Sequence, residues 1–226
     1  MSIILNIDTT AERAHVSFAK DGSILDCIYN EAQKEHASFL QSSIRKLTVS
    51  TGIKLSDIDA VAVTAGPGSY TGLRVGMASA KGLCYALKTP LITMSTLEVL
   101  TLSAIHLFPD IDESVLLCPM IDARRMEIFT AIYKKDLTIY LAPSALILDE
   151  FSFTKDLLEN KILFFGSGSE KWNPVCKHAN ALFENVPILP KVMSKYSAKL
   201  YFQRDFTDLA YSQPFYLKEF QTVIKS

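Results

Sequence analysis

The chain has 226 residues, 49% of them apolar, and carries 23 basic and 24 acidic side chains for a formal net charge of −1. This length and apolar content allow one large or two small domains, and the charge balance excludes an overall field that attracts nucleic acid. The four cysteines are widely spaced without a C-x-x-C pair, which predicts core thiols in a reducing compartment. Neither a signal peptide nor a membrane-spanning run is evident, so the sequence predicts a cytoplasmic protein.

The first half of the chain predicts the element order β-β-β-α-β-α. Apolar runs and an Asp-Gly hairpin signal mark the strands, and apolar residues at helical spacing mark the helices. The predicted strands are Ile3–Ile7, His15–Ala19, Ile24–Tyr29 and residues 58–64. One predicted helix lies between the third and fourth strands and ends near Gly52, and the other covers residues 71–88 after the fourth strand.

The second half predicts a similar order. Three strands are expected first, then a helix within residues 144–159, a short strand, and a last helix over 193–211. The predicted strands are Val115–Ile121, Glu127–Tyr133, Thr138–Leu141 and Ile162–Phe165. In both halves the first strand runs into Ile-Asp, which suggests two related units. The boundary is expected within residues 105–113, giving domains 1–108 and 109–226, with the last helix packing back on the first domain.

The segment Gly66–Gly76, with the sequence GPGSYTGLRVG, joins the fourth predicted strand to the helix 71–88. A glycine-rich turn of this kind leaves backbone N–H groups pointing outward at the positive end of a helix, where an anion can bind. The segment lacks both the Gly-Lys-Ser/Thr ending of a P-loop and the G-x-G-x-x-G spacing of a dinucleotide site. Two interpretations stay open: a phosphate site, or a tight turn that needs positive φ.

The same string resembles the signature of the bacterial TsaB (YeaZ) family. Further matches lie at Ile7–Thr10, Ile121–Arg125 and Pro214–Leu217. The resemblance is dense over residues 1–135 and thin over 136–210. It implies an α/β fold of two ribonuclease-H-like domains of the actin-like and hexokinase-like (ASKHA) class, each of β-β-β-α-β type, the second one abbreviated.

The resemblance also implies a function. The chain would be a non-catalytic scaffold subunit that pairs with TsaD, which transfers a threonylcarbamoyl group to the adenosine next to the anticodon in tRNA. The ATPase TsaE would bind the assembled pair, tRNA would be met only through the complex, and the free chain could form a homodimer. The alternative is a small ATPase or kinase of the actin-like superfamily.

That alternative has its own candidate residues for nucleotide or phosphate, which are Asp8, Thr9, Thr10, Gly66, Gly68 and Asp122. In the superfamily that the chain resembles, acidic residues after the first strand of each domain face the cleft and can organise Mg²⁺ and phosphate. The competing interpretation is that each aspartate only ends a strand by accepting backbone hydrogen bonds. No tightly bound cofactor is expected, and ATP with Mg²⁺ belongs only to the alternative function.

Metal chemistry is not expected either. TsaD carries two histidines four residues apart after its glycine-rich segment, and one helical turn brings such a pair onto one face. Alignment on Gly66–Gly76 and Pro90 places Ser95 and Val99 at those positions, and neither is a useful metal ligand. No H-E-x-x-H motif is present and Ser69 is not in a G-x-S-x-G elbow, so no catalytic residue and no protease activity are expected.

The helix 71–88 has little polar surface. Its larger apolar residues form one stripe, and the opposite side carries small or apolar residues. A helix of this kind is normally covered on two sides, either within its own monomer or by a partner. The resemblance implies docking on TsaD through helices 34–50 and 71–88, with Leu40, Ile44, Val75, Ser79, Gly82 and Ala86 as interface candidates.

Overall fold

The computed structural model of the protein describes residues 1–11, 13–30 and 36–217. Its first sheet has five strands in the order β3-β2-β1-β4-β5. The elements of this half are β1 (Ile3–Asp8), β2 (His15–Lys20), β3 (Ser23–Tyr29), α1 (His36–Thr51), β4 (Ala60–Gly66), α2 (Tyr70–Leu87), β5 (Leu91–Ser95) and α3 (Thr96–Leu107). The predicted order β-β-β-α-β-α is confirmed. The start of the predicted helix at residue 34 lies outside the described residues.

Sequence reasoning missed β5 and α3. The stretch from Leu91 to Leu107 is mainly apolar with scattered polar residues, and it shows neither the period of a strand nor that of an amphipathic helix. The structure divides it at Ser95, which is the N-cap of α3 and accepts a hydrogen bond from the backbone N–H of Glu98 at 3.4 Å. Both elements are buried on two sides, which removes the polar face that a periodicity argument needs.

The two faces of the first sheet are both covered. Leu5 and Ile7 of β1 share a core cluster with residues of α1 and α2. Ile4 points to the opposite face, where it shares a cluster with Val99 of α3 and with Met193 near the end of the chain. Alternate residues of one strand therefore pack into different layers, as the pleat of a strand requires.

The second sheet has the order β10-β9-β6-β7-β8. The elements of this half are β6 (Leu116–Asp122), β7 (Glu127–Tyr133), β8 (Ile139–Ile147), α4 (Thr154–Glu159), β9 (Ile162–Phe165), α5 (Ser169–Trp172), β10 (Ala181–Glu184) and α6 (Pro190–Gln203). Counted from the first strand of each half, both sheets have the order 3-2-1-4-5. The parallel and antiparallel pairs also correspond, so the fold duplicates one topology.

Two predictions for this half are corrected and one is confirmed. The strand expected to end at Leu141 continues to Ile147, because residues up to Ile147 pair with β7. The helix expected within residues 144–159 is confirmed and lies at Thr154–Glu159, after this strand has ended. The last helix is shifted from residues 193–211 to Pro190–Gln203, since Pro190 occupies its first turn and Arg204 adopts the left-handed conformation that ends it.

Helices α3 and α6 connect the two halves. Leu100 and Ala104 of α3 share a cluster with Leu117 of β6, whereas Val99 faces the first sheet. Helix α6 packs on the first sheet, where Met193 and Ile4 share a cluster. The division of the chain at residue 108 remains a prediction. In the part of the chain that the structure describes, no helix is long and apolar enough to cross a membrane.

Candidate functional site

The glycine-rich segment follows β4 and starts α2. Ser69 is the N-cap of α2, and its hydroxyl accepts a hydrogen bond from the backbone N–H of Gly72 at 3.3 Å. The turn after β1 lies directly against this helix start. The backbone N–H of Ser69 donates to the carbonyl oxygen of Thr10 at 3.0 Å, and the hydroxyl of Thr9 donates to the carbonyl oxygen of Gly72 at 2.7 Å. A carbonyl oxygen of the chain itself therefore occupies the positive end of α2.

The glycines are required by this close approach. A Cβ at Gly68 would lie 2.8 Å from both the Cβ and the carbonyl oxygen of Thr10. A Cβ at Gly72 would collide with the carbonyl oxygen of Thr9, and one at Gly76 with the Thr9 hydroxyl. Since residues four apart share a helix face, Gly72 and Gly76 open one groove in α2 for the Thr9 turn. The packing interpretation accounts for these glycines without a phosphate.

Residues 205–217 form a strap that runs back to the same place. The backbone N–H of Phe215 donates to the carbonyl oxygen of Ala65 at 2.7 Å, and the Tyr216 ring lies 5.4 Å from the Tyr70 ring. The carbonyl oxygen of Phe215 would be 2.6 Å from a Cβ at Gly66, whose φ of +121 already favours glycine. The strap thus explains why Pro214–Leu217 accompanies the glycine-rich segment.

Asp8 ends β1 and is fully buried. Its Oδ1 accepts hydrogen bonds from the backbone N–H of Thr10 at 3.0 Å, from the Thr10 hydroxyl at 2.6 Å and from the Thr64 hydroxyl at 2.7 Å. Its Oδ2 lies 3.6 Å from Nδ1 of His15. Three donors of the chain itself therefore hold one oxygen of this carboxylate.

His15 was not among the predicted residues. It is buried and lies directly opposite Asp8 in the register of β1 and β2. Burial lowers the pKa of His15 below its ordinary value, and the attraction to Asp8 opposes this only in part. The signal in the sequence was the short hairpin, because an antiparallel pair of strands joined near residue 11 must bring Asp8 and His15 together.

Asp122 ends β6 at the equivalent position of the second sheet, but its side chain is 47% exposed. It accepts a hydrogen bond from the backbone N–H of Arg124 at 2.8 Å and forms an ion pair with Lys171. Lys171 also donates to the carbonyl oxygen of Glu127. The contacts described for Asp8 and for Asp122 have no residue in common. Their joint role in a nucleotide site remains a prediction.

The positions aligned with the histidines of TsaD have other roles here. Ser95 is the N-cap of α3, and Val99 is buried in the cluster that contains Ile92 and Met193. Within residues 1–11, 13–30 and 36–217, no group of three or more His, Cys, Asp or Glu side chains is placed to hold a metal ion.

The interface candidates divide into two sets. Leu40 and Ile44 are buried in the cluster that contains Leu5 and Ile7, so their prediction as interface residues is wrong. The apolar stripe of α1 faces its own sheet, as in an ordinary amphipathic helix. On α2, Val75 and Ser79 are half-buried, whereas Gly82 and Ala86 are exposed.

The exposed side of α2 also includes a residue that sequence reasoning missed. The Tyr85 side chain is 81% exposed on this side of the helix. Nothing lies within 4 Å of a Cβ placed on Gly82. The uncharged residues of this side, here called the α2 face, are Thr71, Val75, Ala78, Ser79, Gly82, Tyr85 and Ala86.

The charged residues beside the α2 face contact the strap. Lys81 donates to the carbonyl oxygens of Ala210 and Ser212 at 3.3 and 2.8 Å. Arg74 donates to the Tyr216 hydroxyl at 3.3 Å. Arg74, Lys81 and Lys88 lie on one flank of α2, so the α2 face beside them carries no charged residue.

These features define a class of α/β protein. Its two sheets share one duplicated topology, and a glycine-rich helix packs on the turn after β1. Residues 28–212 match the family described as "TsaD: tRNA N6-adenosine threonylcarbamoyltransferase". The chain belongs to this family and, within it, to the TsaB (YeaZ) group.

The relatives support this placement. The chain is 32% identical over 133 residues to the tRNA threonylcarbamoyladenosine biosynthesis protein TsaB of Escherichia coli (strain K12), covering 59% of this chain and 55% of that protein. It is 27% identical over 167 residues to the TsaB of Bacillus subtilis (strain 168), covering 72% of this chain and 70% of that protein. The alignments thus span about half to two thirds of the relatives' length.

A solved structure supports the fold. The structure called "YeaZ from Pseudomonas aeruginosa" matches with a TM-score of 0.77 at 22% identity, covering 96% of this chain and 100% of that chain. At this identity the likeness concerns the fold, and it confirms the predicted two-domain α/β architecture.

Proposed function

We propose that this chain is a non-catalytic subunit that pairs with a TsaD protein in the formation of threonylcarbamoyladenosine on tRNA. TsaD would supply the transfer chemistry, and TsaE would bind the assembled pair. Membership of the family and the names of the relatives support the pathway. The α2 face supports the role as a docking subunit.

The α2 face is the observation that carries this proposal. Its residues are small or uncharged, and it exposes one tyrosine, Tyr85. Small residues let a second helix approach closely, and tyrosine is enriched among the residues that dominate binding energy at interfaces. Lys81 and Arg74 contact the strap, so a partner could cover the α2 face without burying an unpaired charge. The same face could serve a homodimer of the free chain.

The buried contacts favour a scaffold over an ATPase. The hydroxyls of Thr9 and Thr10, which a phosphate would need, already donate within the chain. Asp8 has one oxygen occupied by three donors and the other beside His15. Asp122 pairs with Lys171. We therefore propose no bound nucleotide, and titration of the isolated chain with ATP and Mg²⁺ should show no micromolar binding.

The variant Gly82→Arg tests the docking role. Because a Cβ at Gly82 meets nothing within 4 Å, the free chain should fold normally with an equal or slightly higher melting temperature. In the complex, the new guanidinium would enter a close helix contact, where an unpaired buried charge costs several kcal/mol. The variant should therefore fail to co-purify with TsaD and fail to support tRNA modification.

The matched control is Leu158→Arg, which adds the same charge at an exposed apolar position of α4. This control should co-purify with TsaD like the unaltered chain. A folded Gly82→Arg variant that still binds TsaD would place the interface elsewhere and contradict the proposal. If Gly82→Arg unfolds the chain, the α2 face is part of the monomer core.

A further inference from the structure

The turn between β6 and β7 has an unusual composition for its backbone. Arg124 and Arg125 are consecutive residues with φ of 72° and 52°. Left-handed conformations disfavour ordinary L residues, and two in succession usually call for asparagine or glycine. Strained positions of this kind cluster at functional sites. The backbone conformation of the turn therefore does not favour arginine at either position, so the presence of both arginines needs another explanation.

The neighbouring residues stabilise the backbone of the turn but do not pair with either arginine side chain. Asp122 accepts from the backbone N–H of Arg124, and Lys171 neutralises the Asp122 carboxylate. The backbone N–H of Glu127 donates to the carbonyl oxygen of Arg124 at 3.1 Å. In residues 1–11, 13–30 and 38–217, neither the Arg124 nor the Arg125 side chain has an ion pair or hydrogen bond, and both are exposed.

The two arginines border a shallow groove of about 510 Å³. Its lining is Ala123, Arg124, Arg125, Met126, Glu127 and Ile147. Glu127 contributes the only carboxylate of that lining, and the charge of Lys171 is balanced by its ion pair with Asp122. Guanidinium groups present a planar fork of donors that matches the oxygens of phosphate.

We propose that Arg124 and Arg125 contact phosphate groups of the RNA backbone when tRNA is bound by the assembled complex. This inference rests on the proposed function, which brings a tRNA to the complex. The net charge of −1 gives the chain no general attraction for RNA. Two contacts are too few for tight binding by the chain alone, but they would help to orient a tRNA held mainly by the partner.

The test uses the complex with TsaD and the double variant Arg124→Asn with Arg125→Gly. These residues suit the left-handed turn better than arginine, so the variant should melt at an equal or higher temperature. Its affinity for tRNA should nevertheless fall by about tenfold or more at 0.1 M salt. The slope of log affinity against log salt should decrease by about 1.5, because each phosphate contact contributes roughly 0.7 to 0.9.

The matched control is Lys161→Gln with Lys177→Gln, which removes the same charge from the same half of the chain. Lys161 precedes β9, which runs parallel to β6, so it lies at the end of the sheet opposite Asp122. This control should leave the salt slope unchanged. An unchanged slope in the turn variant, or an equal change in the control, would overturn the inference.

Two further outcomes separate this inference from its alternatives. If the turn variant no longer co-purifies with TsaD, the arginines bind an acidic protein surface, and the RNA contact is wrong. If the unaltered chain does not co-purify with TsaD, the proposed function itself fails and the inference fails with it. If the complex forms and the turn variant binds tRNA like the unaltered chain, only the inference fails.

Discussion

The ends of β1 and β6 occupy equivalent places in the two sheets, and both strands end in Ile-Asp. At the first end, Asp8 is buried, and its carboxylate joins β1, the following turn and β4. At the second end, Asp122 is exposed and stabilises a turn that carries two exposed arginine side chains. One topology therefore presents a closed end and an open end.

The difference follows from what packs against each end. The first is closed by α2, whose glycines let the Thr9 turn approach the helix backbone. The strap closes it further, through the hydrogen bond from Phe215 to Ala65. At the second end, α5 has only four residues, and its Lys171 pairs with Asp122. A shared position in a duplicated fold therefore does not imply a shared role.

The largest effect is expected at the closed end, from Gly72→Ala. Its Cβ would overlap the carbonyl oxygen of Thr9, which is backbone and cannot rotate away. Overpacking against a fixed backbone should reduce the free energy of unfolding by about 3 kcal/mol or more. Urea denaturation would measure this change.

The matched control for that substitution is Gly82→Ala in the same helix, where the added Cβ meets nothing within 4 Å. It should increase the free energy of unfolding by about 0.5–1 kcal/mol, because alanine has a higher helix propensity than glycine. If both variants were equally stable, the close approach would not explain the glycines.

The same substitution at the two aspartates should give unequal effects. Asp8→Ala leaves the Thr10 N–H and the hydroxyls of Thr10 and Thr64 without their buried acceptor. We expect a loss of about 3 kcal/mol in the free energy of unfolding. Asp122→Ala removes an exposed ion pair and should cost at most about 1 kcal/mol. Equal losses at the two positions would contradict the distinction between a closed and an open end.

The smallest effect is a pH dependence at the closed end. Burial lowers the folded-state pKa of His15 from the ordinary value of 6.5. As the pH falls through 6.5, the unfolded chain takes up this proton before the folded chain does. The stability that burial of neutral His15 allows is therefore present above that pH and is lost below it.

Urea denaturation between pH 8 and pH 5 checks this expectation. The variant His15→Gln should show a flatter decline toward low pH than the unaltered chain. The control His106→Gln changes an exposed histidine of α3 and should follow the unaltered chain. Parallel profiles for all three proteins would show that His15 does not titrate differently on folding.

Local patterns determined much of this protein. The order of the first elements follows from apolar runs, and the Asp-Gly turn joins β2 to β3. The glycine-rich string marked the start of α2 correctly, because a strand, a turn and an amphipathic helix each leave a local pattern. The family resemblance rested on the same residues and is confirmed.

Only the tertiary structure decided what these residues do. The apolar stripe of α1 faces its own sheet, which buries Leu40 and Ile44, whereas Gly82, Tyr85 and Ala86 of α2 are exposed. The hydrogen bond between Asp8 and Thr64 joins residues 56 apart in the chain. Periodicity describes which residues share a face, but not what covers that face. Whether an aspartate ends a strand in the core or in solvent depends on elements that arrive from distant parts of the sequence.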